Sequence, residues 1–315
     1  MITHPAIMAR WGLCVCRLTG EGVLGRSSCE NASVIEIVHP EVSAANAKVA
    51  IFDFDGTLSL LRSGWMEVMV PLCIEHLTAL RTGESEDELR VVVEEFVWQL
   101  PGNETIYQMM ALADAVRERG GRPPEPLALK RQYLDRLWVK IRHRIEALRN
   151  RAADPETYLV PGAEAILQFL TERGIRLYLA SGTDHANVRE EAELLGISRY
   201  FGERMFGARD DLKSFSKALL VQQIVGTGGV GGKELVVFGD GFVEIEEVKK
   251  VGGVAVGLAT AEPDCNVVDS WKRERLLKAG ADVITPNFLH LPDLMGDLFG
   301  VVAASTFPQP EPQLK

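Results

Sequence analysis

Apolar residues along this chain follow two different periods, and the alternation between them predicts the architecture. Short runs rich in β-branched and aromatic residues occur in KVAIF (48–52), IRLYLAS (175–181), ELVVFGD (234–240), VGGVAVGL (251–258) and ADVIT (281–285). Runs of this length without polar interruption predict strands buried on both faces. VIEIV (34–38) predicts a further short edge strand, stopped by Pro40. Helices are predicted over 163–173, with Pro161-Gly162 before it and Gly174 after it, near 190–195, and over about 217–225. Strands alternating with helices make an α/β fold, a Rossmann-like and mostly parallel sheet with helices on both faces.

Between the first buried strand and the rest, the period changes to three and four residues. The segments 64–80, 84–100, 104–120 and 126–152 each read as a helix, the last through Leu134, Leu137, Trp138, Ile141, Ile145 and Leu148. Pro101-Gly102, Gly120-Gly121 and Pro123-Pro124 separate them. The organisation is therefore a catalytic-type core over 46–61 and 158–302, with an inserted α-helical domain over 62–157. Residues 1–45 form an N-terminal extension expected to be partly disordered, and 303–315, with FPQPEPQ, a flexible tail. The stripe Lys130, Arg131, Arg136, Lys140, Arg142 and Arg144 reads as a solvated helix face. Met66, Met69, Met109 and Met110 read as the core of the inserted domain.

Composition narrows the classes of partner. The chain has 315 residues, 25% of them charged and 46% apolar, with a formal net charge of -10. Such a balance is ordinary for a soluble globular protein and gives no general support to nucleic-acid binding. No run approaches the roughly 18 apolar residues of a membrane span, and Arg10 and Arg17 interrupt any signal-like stretch. Five scattered cysteines (14, 16, 29, 73 and 265) suggest reduced thiols and a cytoplasmic setting. A monomer or homodimer is expected.

The chemistry concentrates at strand ends. Asp53 and Asp55 are two residues apart after the first buried strand, so they leave it on one side. Two acids so placed repel unless a cation or proton intervenes. Gly56 then permits a sharp turn. Ser181 and Asp240 end two later strands, and ligands of such sheets bind beyond the carboxyl ends of the strands.

These residues resemble the motifs of the haloacid dehalogenase superfamily, in its phosphatase-like branch with a helical cap, similar to phosphoglycolate phosphatase and β-phosphoglucomutase. The resemblance covers about residues 46–300. It rests on Asp53-Phe54-Asp55-Gly56-Thr57, Ser181 in LYLASGT, Lys217 opening a helix in SFSKALLVQQI, and Asp240 with Glu244 in VVFGDGFVEIEE. It implies Asp53 as nucleophile and Asp55 as general acid and base. It implies phosphate contacts from Thr57, Ser181, Gly182 and Lys217, with Lys213 as a competitor for the lysine. A Mg²⁺ cofactor would be held by Asp53, Asp55 through its carbonyl, and Asp240, with Glu244 direct or through water.

Arg62 and Trp65, near the hinge into the cap, are candidate substrate contacts; Arg62 fits a structural ion pair equally well. The loop 101–105 is placed to dip into the cleft. The implied activity is hydrolysis of a small phosphorylated metabolite through an aspartyl-phosphate. A phosphomutase shares the same core motifs, and a catalytically inactive metabolite-binding protein is the alternative of another class. Dehalogenation is disfavoured by Asp55, and phosphonate hydrolysis lacks a motif around Lys130 or Lys140.

Overall fold

A computed structural model describes residues 35–99, 104–209, 216–226, 228–290, 296 and 298–300. They belong to one compact unit, Ser33–Lys315; a second unit, Met1–Ala32, lies outside the described residues, as does the tail 303–315.

Seven strands form one sheet: β1 (Glu36–Ile37), β2 (Val49–Phe52), β3 (Arg176–Asp184), β4 (Met205–Ala208), β5 (Leu235–Gly239), β6 (Val254–Leu258) and β7 (Val283–Thr285). Their order is β1-β7-β6-β5-β2-β3-β4, every neighbouring pair parallel except β1 with β7. Strand β2 therefore lies between β5 and β3, so the chain ends of all three meet at one sheet edge. The period-two rule divides β2 between two cores. Ala50 and Phe52 face one side, with Leu177, Leu179, Val236 and Phe238. Val49 and Ile51 face the other, with Leu235, Val237 and Ala255. Phe52 and Phe238 stack with ring centroids 4.6 Å apart and planes 7° from parallel.

Helices cover both faces: α5 (Ala163–Glu172), α6 (His185–Leu194) and α7 (Ser198–Phe201) on the first, α8 (Lys217–Gly226), α9 (Phe242–Lys250) and α10 (Ser270–Ala279) on the second. Strand β4 and the short α7 are not apparent from hydrophobic periodicity. Each has four residues, too few for either period to show.

Between β2 and α5 the chain forms α1 (Met66–Thr78), α2 (Glu86–Gln99), α3 (Thr105–Glu118) and α4 (Pro126–Arg149). These bury their own cluster, including Met69, Leu72, Cys73, Leu77, Val93, Met109, Leu112 and Leu137. Of the four methionines expected inside it, Met69 and Met109 are there, Met66 is half-buried outside the cluster, and Met110 is exposed. Helix α4 serves two cores, because Ile145 and Leu148 at its C-terminal end join the cluster beneath the sheet. Arg144 on the same helix donates to the carbonyls of Leu61 and Ser63, both at 2.9 Å, and so holds the hinge where the chain leaves the core. No helix among the described residues is long and apolar enough to cross a membrane.

Candidate active site

Asp53 follows β2 directly, and its N–H still donates to the Phe238 carbonyl at 2.9 Å. The loop then closes on Phe54, whose carbonyl accepts from the backbones of Leu58 and Ser59 at 2.9 and 2.8 Å. Gly56 sits at φ +75°, where side chains are strained. A Cβ there would also stand 2.3 Å from Asp240 Oδ2. Glycine thus serves twice, in making the turn and in admitting the carboxylate that arrives from the end of β5. Thr57 lies beneath this loop, wholly buried, and its hydroxyl has no hydrogen-bond partner among the described residues. It is absent from the cleft lining, unlike its expected phosphate contact.

Lys217, first residue of α8, reaches Asp53 Oδ1 and Glu244 Oε2, each at 2.9 Å. All three side chains are buried. Burial works against the Lys217 charge, but the carboxylates of Asp53 and Glu244 outweigh it and hold the ammonium above its ordinary range. Burial also pushes the Asp53 carboxyl well above the usual range; Lys217 opposes this, and Glu244 and Asp240 reinforce it. Glu244 caps α9 as well, its Oε1 accepting from the Gly241 N–H at 2.9 Å. Gly239 makes room for that return, since a Cβ there would fall 2.3 Å from Glu244 Oε1. Lys213 lies outside the described residues.

Asp55 is oriented by hydroxyls from β3. Ser181 Oγ and Thr183 Oγ1 both donate to Asp55 Oδ2, at 3.1 and 2.8 Å. Ser181, expected to meet phosphate, is therefore turned to the second acid here. Burial raises the Asp55 carboxyl, with the Arg62 guanidinium and the two hydroxyls pulling against it. Arg62 stands 3.8 Å from Asp55 Oδ1 and makes a closer two-pronged contact with Glu191 of α6, at 2.6 and 3.2 Å. Of its two alternatives the ion pair is formed.

A cleft enclosing about 650 Å³ of empty space, counting the part open to solvent, lies above these groups. Asp53, Asp55, Ser181, Gly182, Lys217 and Asp240 form its floor. Arg62, Trp65, Thr105, Gln108 and Tyr133 form its cap side. Residues 101–103 of the loop expected there lie outside the described residues. Lys130 corrects the solvated-stripe reading: it is 5% exposed and bonds Asp184 Oδ1 at 2.5 Å, joining α4 to the end of β3. Periodicity alone misses such a residue, because it is buried against the end of β3 and not within its own helical cluster.

Sequence reasoning also passed over Thr183, Glu191 and Lys272. Thr183 had a readable signal, since it stands two residues after Ser181 on an extended strand. Lys272, from α10, bonds Asp240 Oδ2 at 2.9 Å and Glu262 at 3.0 Å. Nothing in local spacing points to it.

Asp53, Asp240 and Glu244 offer carboxylate oxygens that all lie within 4.8 Å of one another. Three hard anionic donors this close suit a small divalent cation, Mg²⁺ above softer metals. Asp55 Oδ1 is a further buried polar atom, without a hydrogen-bond partner among the described residues and with Arg62 3.8 Å away. The residues present fit the cofactor that the sequence motifs imply.

The model of the haloacid dehalogenase-like hydrolases matches residues 47–252. Among solved structures, a predicted phosphoglycolate phosphatase from Haemophilus somnus is similar at 18% identity and TM-score 0.52, over 79% of this chain and 98% of that one. A mutant of CbbY from Rhodobacter sphaeroides, in complex with xylulose-(1,5)bisphosphate, is similar at 18% identity and TM-score 0.50, over 78% and 96%. A putative β-phosphoglucomutase from Thermotoga maritima is similar at 19% identity and TM-score 0.46, over 78% and 99%. No curated protein matches the sequence. At these identities the first two of them speak for the fold alone.

Proposed function

The chain belongs to the haloacid dehalogenase-like hydrolases, and from that premise we propose that it is a phosphatase of a small phosphorylated metabolite. The observation that carries this reading is the meeting of Asp53, Lys217, Asp240 and Glu244 under one cleft, with Asp55 beside them. Mg²⁺ bound by Asp53, Asp240 and the Asp55 carbonyl, with Glu244 behind them, would neutralise phosphate and nucleophile so that two anions can approach.

The chain's own groups account for the remaining work. The Asp53 carboxylate attacks phosphorus, and the bond from phosphorus to the ester oxygen breaks. Asp55, whose carboxyl is raised above its ordinary range by burial, gives a proton to the leaving oxygen. Asp55 then takes a proton from water, which attacks the aspartyl-phosphate, frees phosphate and restores Asp53. Lys217 and the Ser181-Gly182 segment hold the phosphoryl oxygens as charge develops. Ser181 can serve both groups by releasing Asp55 when phosphate arrives.

The cap side presents Trp65, Thr105, Gln108 and Tyr133, which are uncharged. Arg62, the cation on that side, is engaged by Glu191. This lining favours a hydroxylated leaving group, such as a sugar, over one bearing a second anion. A panel of phosphorylated sugars and phosphorylated acids, assayed with Mg²⁺ for free phosphate and for isomerised product, tests the reading. Phosphate release from sugar phosphates is expected; isomerised product with little free phosphate would make the protein a mutase, and no turnover of any member a binding protein.

A further inference from the structure

Lys272 sits where an ammonium group is poorly placed by its own helix. It occupies the third position of α10, whose N-terminus is capped by Asp269 through a 2.8 Å bond from the Lys272 N–H. Helix N-termini carry partial positive charge and favour anions. Its side chain is nevertheless drawn inward, 17% exposed, to Asp240 and Glu262. Glu262 is fixed in turn by the hinge residue Ser63, whose hydroxyl donates to its other oxygen at 2.5 Å. One lysine is thus shared by a carboxylate of the cation cluster and one outside it. Burial opposes the ammonium here, and the two carboxylates outweigh it.

Resting on the phosphatase reading above, we infer that Lys272 is a built-in counter-ion for Asp240 that holds down the affinity of the divalent-cation site. An ammonium on Asp240 lowers the negative potential offered to a cation and repels it directly, which at short range in a partly desolvated site is a strong effect. Glu262 moderates this by taking a share of the lysine. The arrangement keeps the Asp240 side chain aimed while keeping the cation exchangeable. Lys272 is a positioning residue in this scheme and touches neither phosphate nor the reacting atoms.

Substitutions at Lys272 and at its partner Glu262 give predictions of opposite sign. In calorimetric titration of Mg²⁺ into the full chain, Lys272→Met is expected to bind at least tenfold more tightly, about 1.4 kcal/mol. Lys272→Arg is expected to stay near the parent protein, and Glu262→Gln to bind several-fold more weakly because Asp240 then holds the lysine alone. Loss of a merely structural contact would weaken binding in Lys272→Met. Unchanged or weaker binding there overturns the inference, provided that Asp240→Asn removes Mg²⁺ binding. If Lys272→Met does not fold, unchanged or tighter binding in Glu262→Gln overturns it instead. Should Asp240→Asn bind Mg²⁺ like the parent protein, the cation reading itself fails and the inference falls with it.

Discussion

Removing either member of the Arg62–Glu191 pair should cost far more than removing both. The two side chains are 8% and 6% exposed, and the guanidinium meets the carboxylate through two bonds of 2.6 and 3.2 Å. Burial raises Glu191, and Arg62 is the group that opposes the rise most strongly. Glu191→Met leaves Arg62 buried with only the 3.8 Å contact to Asp55. Arg62→Met leaves Glu191 without its only charged partner among the contacts described here. Stranding a buried charge in this way costs about 3–5 kcal/mol, whereas replacing a buried pair by apolar groups of similar volume is often close to neutral. Urea unfolding of the parent, both single variants and the double variant forms the cycle. A coupling of about 2–3 kcal/mol is expected, with the double variant more stable than either single one. Single costs below about 1 kcal/mol, or costs that simply add, would show that the pair is solvated and the reasoning wrong.

Gly56→Ala combines a left-handed backbone strain of about 1–2 kcal/mol with a methyl group 2.3 Å from Asp240 Oδ2. It should weaken Mg²⁺ binding by tenfold or more and lower turnover while the protein stays folded; parent-like Mg²⁺ affinity would refute the close approach. Phe238→Ala empties half of the stacked pair beneath the site and should cost about 3–5 kcal/mol in urea unfolding. A loss under about 1 kcal/mol would show that this core collapses around the gap. Glu84 is held down at about 2 by hydrogen bonds from Arg119 and Thr82. A depressed carboxyl stabilises the fold above its ordinary range, and the contribution fades as pH falls towards about 2. Melting of Glu84→Gln should therefore lie below the parent at pH 6 and converge with it in acid; a constant gap would refute the assignment.

Long-period signals were legible in the sequence, and contacts between the helical cluster and the sheet were not. The strand-end acids Asp53, Asp55 and Asp240 could be placed because parallel strands share one carboxyl edge. Each of the four cap helices has at least three turns, enough for its apolar stripe to repeat. The stripe on α4 nevertheless misled at Lys130, since a polar residue facing a strand end looks the same as one facing water. Glu191 and Lys272 reach the site from segments whose spacing carries no chemical pattern, and only tertiary packing brings them in. Ser181 shows the limit from the other side. Its position at the strand end was readable, yet its bond to Asp55 depends on an unshared hydroxyl geometry that no motif encodes.

The central claim is that the Asp53 side chain accepts a phosphoryl group. Rapid acid quenching during turnover with Mg²⁺, followed by mass spectrometry of the peptide bearing Asp53, measures this directly. A transient phosphoryl adduct on Asp53 is expected, lost together with turnover in a folded Asp53→Asn variant. Full turnover in that variant, or an adduct carried by another residue, would contradict it.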